Sequence, residues 1–173
     1  MNYSEIKFTD IANGEGVRVS LFVSGCRRHC KNCFNRSTWD FSSGNPFTKE
    51  VEERIFSALA PDFIAGLSIL GGDPFEPENQ RALLPFVKEV KNRFPDKNIW
   101  CYTGYTFLDG VIREPQANNE VTRALISCLD ILVDGPFIEE KKDIRLKFRG
   151  SSNQRVIDVQ RTLASGKIVL YLE

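Results

Sequence analysis

Apolar runs and helical periodicities alternate along this chain. Runs rich in β-branched and aromatic residues predict four strands, at residues 17–23, 67–70, 98–103 and 131–133. Between them, apolar side chains recur at helical spacing and predict three helices, at residues 48–59, 83–94 and 121–129. Strands that alternate with helices favour parallel βαβ units and an α/β fold.

Two regions depart from simple alternation. Pro85 lies inside the second predicted helix, where we expect it to kink or restart the helix. The tail, about residues 155–173, predicts two strands around Ser165-Gly166 that would pair as a short hairpin. With 173 residues, the chain is expected to form a single domain to which this hairpin is appended.

Glycine-containing polar motifs follow all four predicted strands. They are Ser24-Gly25-Cys26, Gly71-Gly72-Asp73-Pro74, Thr103-Gly104-Tyr105 and Asp134-Gly135-Pro136. In parallel α/β folds the chemistry lies beyond the carboxyl ends of the strands. We therefore expect these four motifs to meet at one rim and to form the active site.

Charge and hydropathy exclude several classes of protein. Lysine plus arginine equals aspartate plus glutamate, 23 each, which argues against nucleic acid as the main partner. No run of about 18 apolar residues exists, so no membrane span is expected. Residues 1–10 are polar and lack the features of a signal peptide. We expect a cytoplasmic protein.

Three of the five cysteines, Cys26, Cys30 and Cys33, fall within eight residues and point to a metal site. Cysteine thiolates suit iron–sulfur clusters and zinc. Three cysteines on a four-iron cluster leave one iron open for chemistry. The alternative is a structural zinc site with His29 as fourth ligand, although His29 adjoins Cys30 and no second Cys-x-x-Cys pair exists.

The two remaining cysteines occupy apolar surroundings. Cys101 lies in a strand between Trp100 and Tyr102, and Cys128 adjoins the apolar face of the third helix. Both are expected to be buried small hydrophobes and not cluster ligands.

The spacing Cys-x3-Cys-x2-Cys after a first strand resembles the signature of the radical S-adenosylmethionine superfamily. Further motifs resemble one family within it, the activating proteins of anaerobic ribonucleoside-triphosphate reductases. These motifs span residues 13–16, 22–26, 35–39, 71–74, 102–105, 133–135 and 149–154. One departure from the superfamily pattern is that Asn32 precedes the third cysteine, while the aromatic Phe34 follows it.

The resemblance implies a partial (β/α) barrel of mostly parallel strands and a defined reaction. Cys26, Cys30 and Cys33 would hold a [4Fe-4S] cluster, and S-adenosyl-L-methionine would chelate the open iron. Reductive cleavage would give a 5′-deoxyadenosyl radical that forms a glycyl radical on the large subunit of anaerobic ribonucleotide reductase. The family also implies a low-potential electron donor such as reduced flavodoxin.

The same resemblance assigns ligand-binding residues. Gly72 and Asp73 would lie at the methionine amino group, and Asn32, Cys33 and Phe34 under the adenine. Thr103 and Asp134 could contact the ligand or a nearby cation, with strand-end capping as the alternative. Arg149 would face the ligand or the partner, its alternative being a solvated loop charge. Trp39 is expected to pack over the loop that carries Cys26, Cys30 and Cys33, which we term the cysteine loop.

Two other functions remain open at this point. One is a radical enzyme of the same superfamily that acts on a small molecule, and the other is a zinc or electron-transfer module. A bulky residue at Gly72 is expected to abolish ligand cleavage while the cluster stays intact. Replacement of any of Cys26, Cys30 and Cys33 by alanine is expected to remove the cluster.

Overall fold

The computed structural model describes residues 1–108 and 111–173. It has a mixed α/β fold, in which helices alternate with strands of one large sheet. The strands of this sheet are β1 (Asn2–Asp10), β2 (Val17–Val23), β3 (Asn45–Pro46), β4 (Ile64–Gly71), β5 (Asn98–Tyr102), β8 (Ile131–Asp134), β9 (Arg155–Asp158) and β10 (Leu170–Leu172). The helices are α1 (Lys49–Leu59), α2 (Pro77–Arg93), α3 (Glu120–Ser127) and α4 (Val159–Ser165). A separate two-stranded ribbon consists of β6 (Phe107–Leu108) and β7 (Val111–Ile112).

The eight strands of the sheet are ordered β10-β9-β8-β5-β4-β2-β1-β3. The four central strands β8, β5, β4 and β2 are parallel, as the alternating pattern predicts. The strands outside them pair antiparallel, at both edges of the sheet. The prediction of mostly parallel strands therefore holds for the centre of the sheet and fails at its edges.

Strand β1 is absent from the sequence-based prediction. Its residues are mostly exposed or half-buried, and only Asp10 at its end is buried. Because β1 pairs with β2 near the edge of the sheet, it does not need the apolar run that marks a central strand. The prediction that residues 17–23 form the first strand is correct in its bounds and wrong in its order.

The predicted C-terminal hairpin is wrong in its connection. Strands β9 and β10 do pair antiparallel, but α4 lies between them. The Asp158 side chain caps this helix by accepting a hydrogen bond from the backbone N–H of Arg161 at 3.0 Å. Gly166 ends it with a left-handed φ of 69°. Ser165-Gly166 is thus a helix end and not a hairpin turn.

Helix α2 runs without a break through Pro85, so the predicted restart does not occur. Its first residue is Pro77, whose missing N–H costs nothing in the first turn. Phe86, Val87 and Val90 are fully buried on the face that meets the sheet, whereas Pro85 is exposed. Among the described residues, no helix is both long enough and apolar enough to cross a membrane.

The two faces of the sheet carry different clusters. Ile99 and Cys101 of β5 belong to the main core, together with the buried side chains of α1, α2 and α3. Trp100 and Tyr102 belong to a second, smaller cluster. Because successive side chains of a strand point to opposite faces, the second cluster lies on the face opposite these helices. Cys101 is 1% exposed, which confirms its prediction as a buried hydrophobe.

Arg18 lies on this second face and is fully buried. Its guanidinium donates to the Ser68 hydroxyl at 2.7 Å and to three backbone carbonyls, and it lies over the Trp100 ring, 5.5 Å from the centroid. Burial lowers the pKa of Arg18 to about 10. One of the carbonyls belongs to Glu15, so Arg18 attaches the loop after β1 to the centre of the sheet.

We predict that Arg18→Met lowers the free energy of unfolding by about 2–3 kcal/mol, because it leaves buried carbonyl oxygens without a donor. Urea denaturation of the metal-free protein would measure this loss. Arg123→Met on the exposed surface of α3 is the control and should stay within about 0.5 kcal/mol. Equal effects of the two substitutions would show that the Arg18 contacts do not stabilise the sheet.

Candidate functional site

A cavity of about 520 Å³ opens at the carboxyl ends of the parallel strands. Each of the four predicted strand-end motifs lines it, through Cys26, Gly72, Thr103 and Gly135 among others. Tyr102 also lines it, which places the cavity on the sheet face opposite the core helices. The volume lies in the range of small-molecule sites. The expectation that the four motifs meet at one rim is confirmed.

The three clustered cysteines all line this cavity. Cys26 is buried, and Cys30 and Cys33 are half-buried. Burial, followed by the nearby Asp73 carboxylate, raises the pKa of the Cys26 thiol to about 11, and backbone N–H groups of Arg28 and His29 act in the opposite direction. A cation bound at this thiol would compensate its charge and stabilise the thiolate.

Backbone hydrogen bonds join the start of the cysteine loop to the segment that follows the third cysteine. Gly25 N–H donates to the carbonyl of Thr38 at 2.7 Å, and Cys26 N–H donates to that of Trp39 at 3.0 Å. The Trp39 ring stacks on His29, with centroids 4.3 Å apart, so Trp39 packs on the loop as predicted. The segment after the third cysteine therefore holds the residues around the first.

The arrangement of the thiols bears on the choice between zinc and a cluster. Among residues 1–108 and 111–173, no three histidine, cysteine, aspartate or glutamate side chains converge on the position of a single metal ion. A tetrahedral zinc site needs four ligands within about 2.0–2.3 Å of one centre. A polynuclear cluster has a size of its own, so its thiolates need not converge on one point. Three thiolates on one loop fit the ligand chemistry of an iron–sulfur cluster.

The glycine turn after β4 contacts the cysteine loop directly. Gly72 N–H donates to the carbonyl of Val23 at 2.7 Å, and Asp73 N–H donates to that of Gly25 at 2.8 Å. A Cβ atom on Gly72 would lie 2.4 Å from the Gly25 oxygen. Glycine is therefore required here for contact between two backbones. Gly72 also borders the cavity, where the approach of a ligand was expected.

Asp73 and Thr103 join the ends of β4 and β5. The buried Asp73 carboxylate accepts hydrogen bonds from the Thr103 hydroxyl at 2.8 Å and from the backbone N–H groups of Phe75 and Gly104, each at 2.9 Å. Burial outweighs these bonds and raises the pKa of Asp73 to about 6. Both residues line the cavity, so the ligand and capping interpretations of Thr103 are compatible.

Sequence reasoning missed Glu76, which holds the cysteine loop against the start of α2. Its fully buried carboxylate accepts from the backbone N–H of Arg27 at 2.8 Å and from the Arg27 guanidinium at 2.5 Å. Tyr105 donates its hydroxyl to the same carboxylate at 3.3 Å. The available signal was an acidic residue directly before the Pro77 that opens α2, combined with the basic residue after Cys26.

Several residues that line the cavity carry a buried polar atom with no protein partner. Within the described part of the chain, these are Arg28 Nε, the Tyr102 hydroxyl and Arg149 Nε. Buried polar atoms nearly always have a hydrogen-bond partner, so unpaired ones around a cavity indicate a polar ligand. This fits the interpretation that Arg149 faces the ligand. Phe34, 66% exposed, adds an aromatic surface at the same cavity.

Asn32 and Asp134 are not among the cavity-lining residues. Asn32 is exposed and adopts a left-handed φ of 55° between the second and third cysteines. The buried Asp134 carboxylate accepts from the Arg155 guanidinium at 2.5 Å and from Phe107 N–H at 2.8 Å. Asp134 thus matches its alternative, a structural contact at the end of a strand.

Comparison with known proteins defines the class first. Residues 12–157 match the family described as a 4Fe-4S single cluster domain, which covers all of the cavity-forming loops. The chain is an enzyme of the iron–sulfur class with a [4Fe-4S] cofactor.

Curated relatives then define the particular family. A protein of Vibrio cholerae is 45% identical over 156 residues, covering 89% of this chain and 96% of the relative. One of Escherichia coli K12 is 42% identical over 158 residues, covering 90% and 97%, and one of Enterobacteria phage T4 is 39% identical over 156 residues, covering 90% and 93%. All three are named anaerobic ribonucleoside-triphosphate reductase-activating protein. The chain belongs to this family.

We predict that Gly72→Ala reduces the iron retained after reconstitution to well below half of wild type, because the new methyl group displaces Gly25 and with it Cys26. Iron and sulfide analysis per chain would measure this. Gly166→Ala, at a positive-φ glycine with open space around its Cβ position, is the matched control and should load normally. Full iron content in Gly72→Ala, with only ligand binding lost, would restore the original expectation for Gly72.

Asp73 should impose a pH dependence on the stability of the metal-free protein. Its folded pKa of about 6 exceeds the ordinary value of 3.8, so its stabilising contribution is present below pH 3.8 and is lost as the pH rises through 6. The free energy of unfolding of wild type relative to Asp73→Asn should fall by up to about 3 kcal/mol over this range. Urea denaturation at closely spaced pH values would test it, and a difference that does not vary with pH would contradict it.

Proposed function

We propose that this chain cleaves S-adenosylmethionine reductively and generates a glycyl radical on the large subunit of anaerobic ribonucleotide reductase. The observation that carries the proposal is the convergence of three cysteines and four strand-end loops on one cavity. Membership in the activating-protein family supports the choice of protein substrate. In this proposal the fold is the partial barrel typical of radical S-adenosylmethionine enzymes.

Cys26, Cys30 and Cys33 would hold the [4Fe-4S] cluster, leaving one iron without a protein ligand. Cys101 is buried in the core, and neither it nor Cys128 lines the cavity, which supports a three-cysteine site. When bound and reduced, the cluster would supply the electron that splits the sulfonium S–C5′ bond of S-adenosylmethionine into methionine and a carbon radical, and this radical would take a hydrogen atom from a glycine Cα. The protein's contribution is to bind, orient and exclude water.

Residues around the cavity provide the binding groups that this ligand requires. The guanidinium groups of Arg28 and Arg149 would bind its carboxylate, since both residues line the cavity and each has an unpaired Nε. The turn that contains Gly72 and Asp73 would lie at the methionine amino group. Phe34, with its neighbours Asn32 and Cys33, would lie under the adenine, because an exposed ring offers a stacking surface.

The cavity requires a partner for completion. It is open to solvent, and two of its three cysteines are partly exposed. A radical that abstracts hydrogen needs a site from which water is excluded. The glycine-bearing polypeptide of the reductase would close the site during the reaction. We propose that a low-potential donor such as reduced flavodoxin supplies the electron. We propose the cytoplasm as the compartment, because free thiols persist in a reducing environment.

The proposal predicts a four-iron cluster that responds to the ligand. Protein purified without oxygen and reconstituted should hold about four irons per chain. Its electron paramagnetic resonance signal after reduction should shift when S-adenosylmethionine is added, and 5′-deoxyadenosine should form. With the reductase subunit present, a glycyl radical signal should appear. A shifted signal without any glycyl radical would favour the small-molecule enzyme.

Cysteine variants separate ligands from buried thiols. Alanine at Cys26, Cys30 or Cys33 should remove the cluster, whereas Cys101→Ala should keep it and lose only about 1–2 kcal/mol of stability. Iron analysis and urea denaturation would measure the two effects. Loss of the cluster in Cys101→Ala would contradict a three-cysteine site, and one tightly bound zinc with no resonance signal would contradict the enzyme.

A further inference from the structure

The mouth of the cavity is bordered by an unusually basic segment, residues 141–149, which we term the basic loop. It contains five basic residues and one acidic residue in a chain whose formal net charge is zero. Among the described residues, its only carboxylate, Asp143, pairs with Arg145 inside the loop, and its other four cations have no acidic partner. The loop is therefore a localised patch of positive charge.

The basic loop also presents an apolar tip beside the mouth. Ile144 is 91% exposed and borders the cavity. Phe34, the exposed aromatic residue of the cysteine loop, lies under the Lys142 ammonium, 5.2 Å from ring centroid to nitrogen. Ile144 and Phe34 thus both present exposed apolar surface at the cavity, and Lys142 of the basic loop lies over Phe34. This combination of apolar centre and charged surround is typical of protein interfaces.

Internal contacts fix the shape of the loop. At the tip, Leu146 N–H donates to the Asp143 carbonyl at 3.2 Å, and the Asp143 side chain accepts from Arg145 N–H at 2.9 Å. At its end, Phe148 packs edge-on against Trp100 of the sheet, with centroids 5.2 Å apart. The folded turn holds Ile144 outward without any burial to compensate its exposure.

We propose that the basic loop is the docking surface for an acidic segment of the reductase large subunit, the polypeptide that carries the target glycine. This inference rests on the proposed function and adds the surface and the charge of the partner segment. The loop borders the mouth, so a segment bound to it would cover the opening that the radical chemistry requires to be closed. Positive charge at the rim would steer an acidic partner to it and set its register.

Two other occupants explain the features of the basic loop less well. A protein electron donor needs only to approach the cluster, which does not explain an exposed apolar residue at the cavity mouth. A nucleic acid would match the cations, yet the chain as a whole has no excess of basic residues. Both alternatives are separated from the proposal by the experiment below.

The test uses Lys141→Glu/Lys147→Glu and, separately, Ile144→Ser, with Lys88→Glu/Arg123→Glu as the charge-matched control. Lys141 and Lys147 are exposed and do not line the cavity. Lys88 and Arg123 are exposed on α2 and α3, which contribute no cavity-lining residue among those described. The dissociation constant for the purified reductase large subunit is measured at several salt concentrations, with titration calorimetry or sedimentation.

We expect the Lys141/Lys147 reversal to weaken association by at least roughly tenfold at low salt and less at about 0.5 M salt. Ile144→Ser should weaken it at all salt concentrations, and the control should match wild type. Glycyl radical yield with a chemical reductant should fall in parallel. Cleavage of S-adenosylmethionine without the partner should stay unchanged in Lys141→Glu/Lys147→Glu.

Other outcomes would overturn the docking surface or the proposed function separately. Wild-type affinity in both variants would overturn the docking surface while leaving the function standing. A defect that appears only when a protein donor replaces the chemical reductant would assign the loop to electron delivery instead. Competition of an oligonucleotide with the reductase, abolished by the reversal, would assign it to nucleic acid. Failure of wild type to cleave S-adenosylmethionine would overturn the proposed function, whereas the association data would still decide the surface.

Discussion

The site depends on two backbone hydrogen bonds that continue the β2–β4 pairing beyond the ends of both strands. Gly72 N–H to Val23 and Asp73 N–H to Gly25 bring the turn after β4 against the residues that precede Cys26. Only glycine permits this approach, since a Cβ at position 72 would overlap the Gly25 carbonyl. The position of the first cysteine is thus set by the central sheet, the most deeply buried part of the molecule.

Buried carboxylates extend this arrangement from two strands to the whole rim. Asp73 connects the turn after β4 to Thr103 and Gly104 after β5, and Glu76 connects the start of α2 to Arg27 in the cysteine loop. Each carboxylate accepts hydrogen bonds from a neighbouring loop, which offset part of the cost of its burial. Such contacts fix loops that the protein could not position through apolar packing, because the loops must leave room for a ligand.

The sequence predicts those parts of this molecule that follow from local pattern. The central strands, the three helices of the main core and the meeting of the strand-end motifs depend on periodicity and on the geometry of parallel sheets, although α2 begins at Pro77 and not at residue 83 as predicted. Sequence reasoning misses strand β1 because a strand near the edge of a sheet can be polar, and it misses α4 because a short capped helix between two strands resembles a turn. Glu76 and the unpaired atoms of Arg28, Tyr102 and Arg149 escape because their roles depend on contacts between residues distant in sequence.

The cavity of this chain is complete on the side of the sheet and open at the basic loop. The radical chemistry that we propose for it requires exclusion of water, yet none of the described helices lines the cavity. The helices of this fold lie on the opposite face of the sheet, where they bury the core. A protein substrate that covers the open side of the cavity would exclude water from it. The reaction would then depend on binding of that substrate. In the proposed function the reaction then takes place when the reductase is bound, because the reductase would close the site.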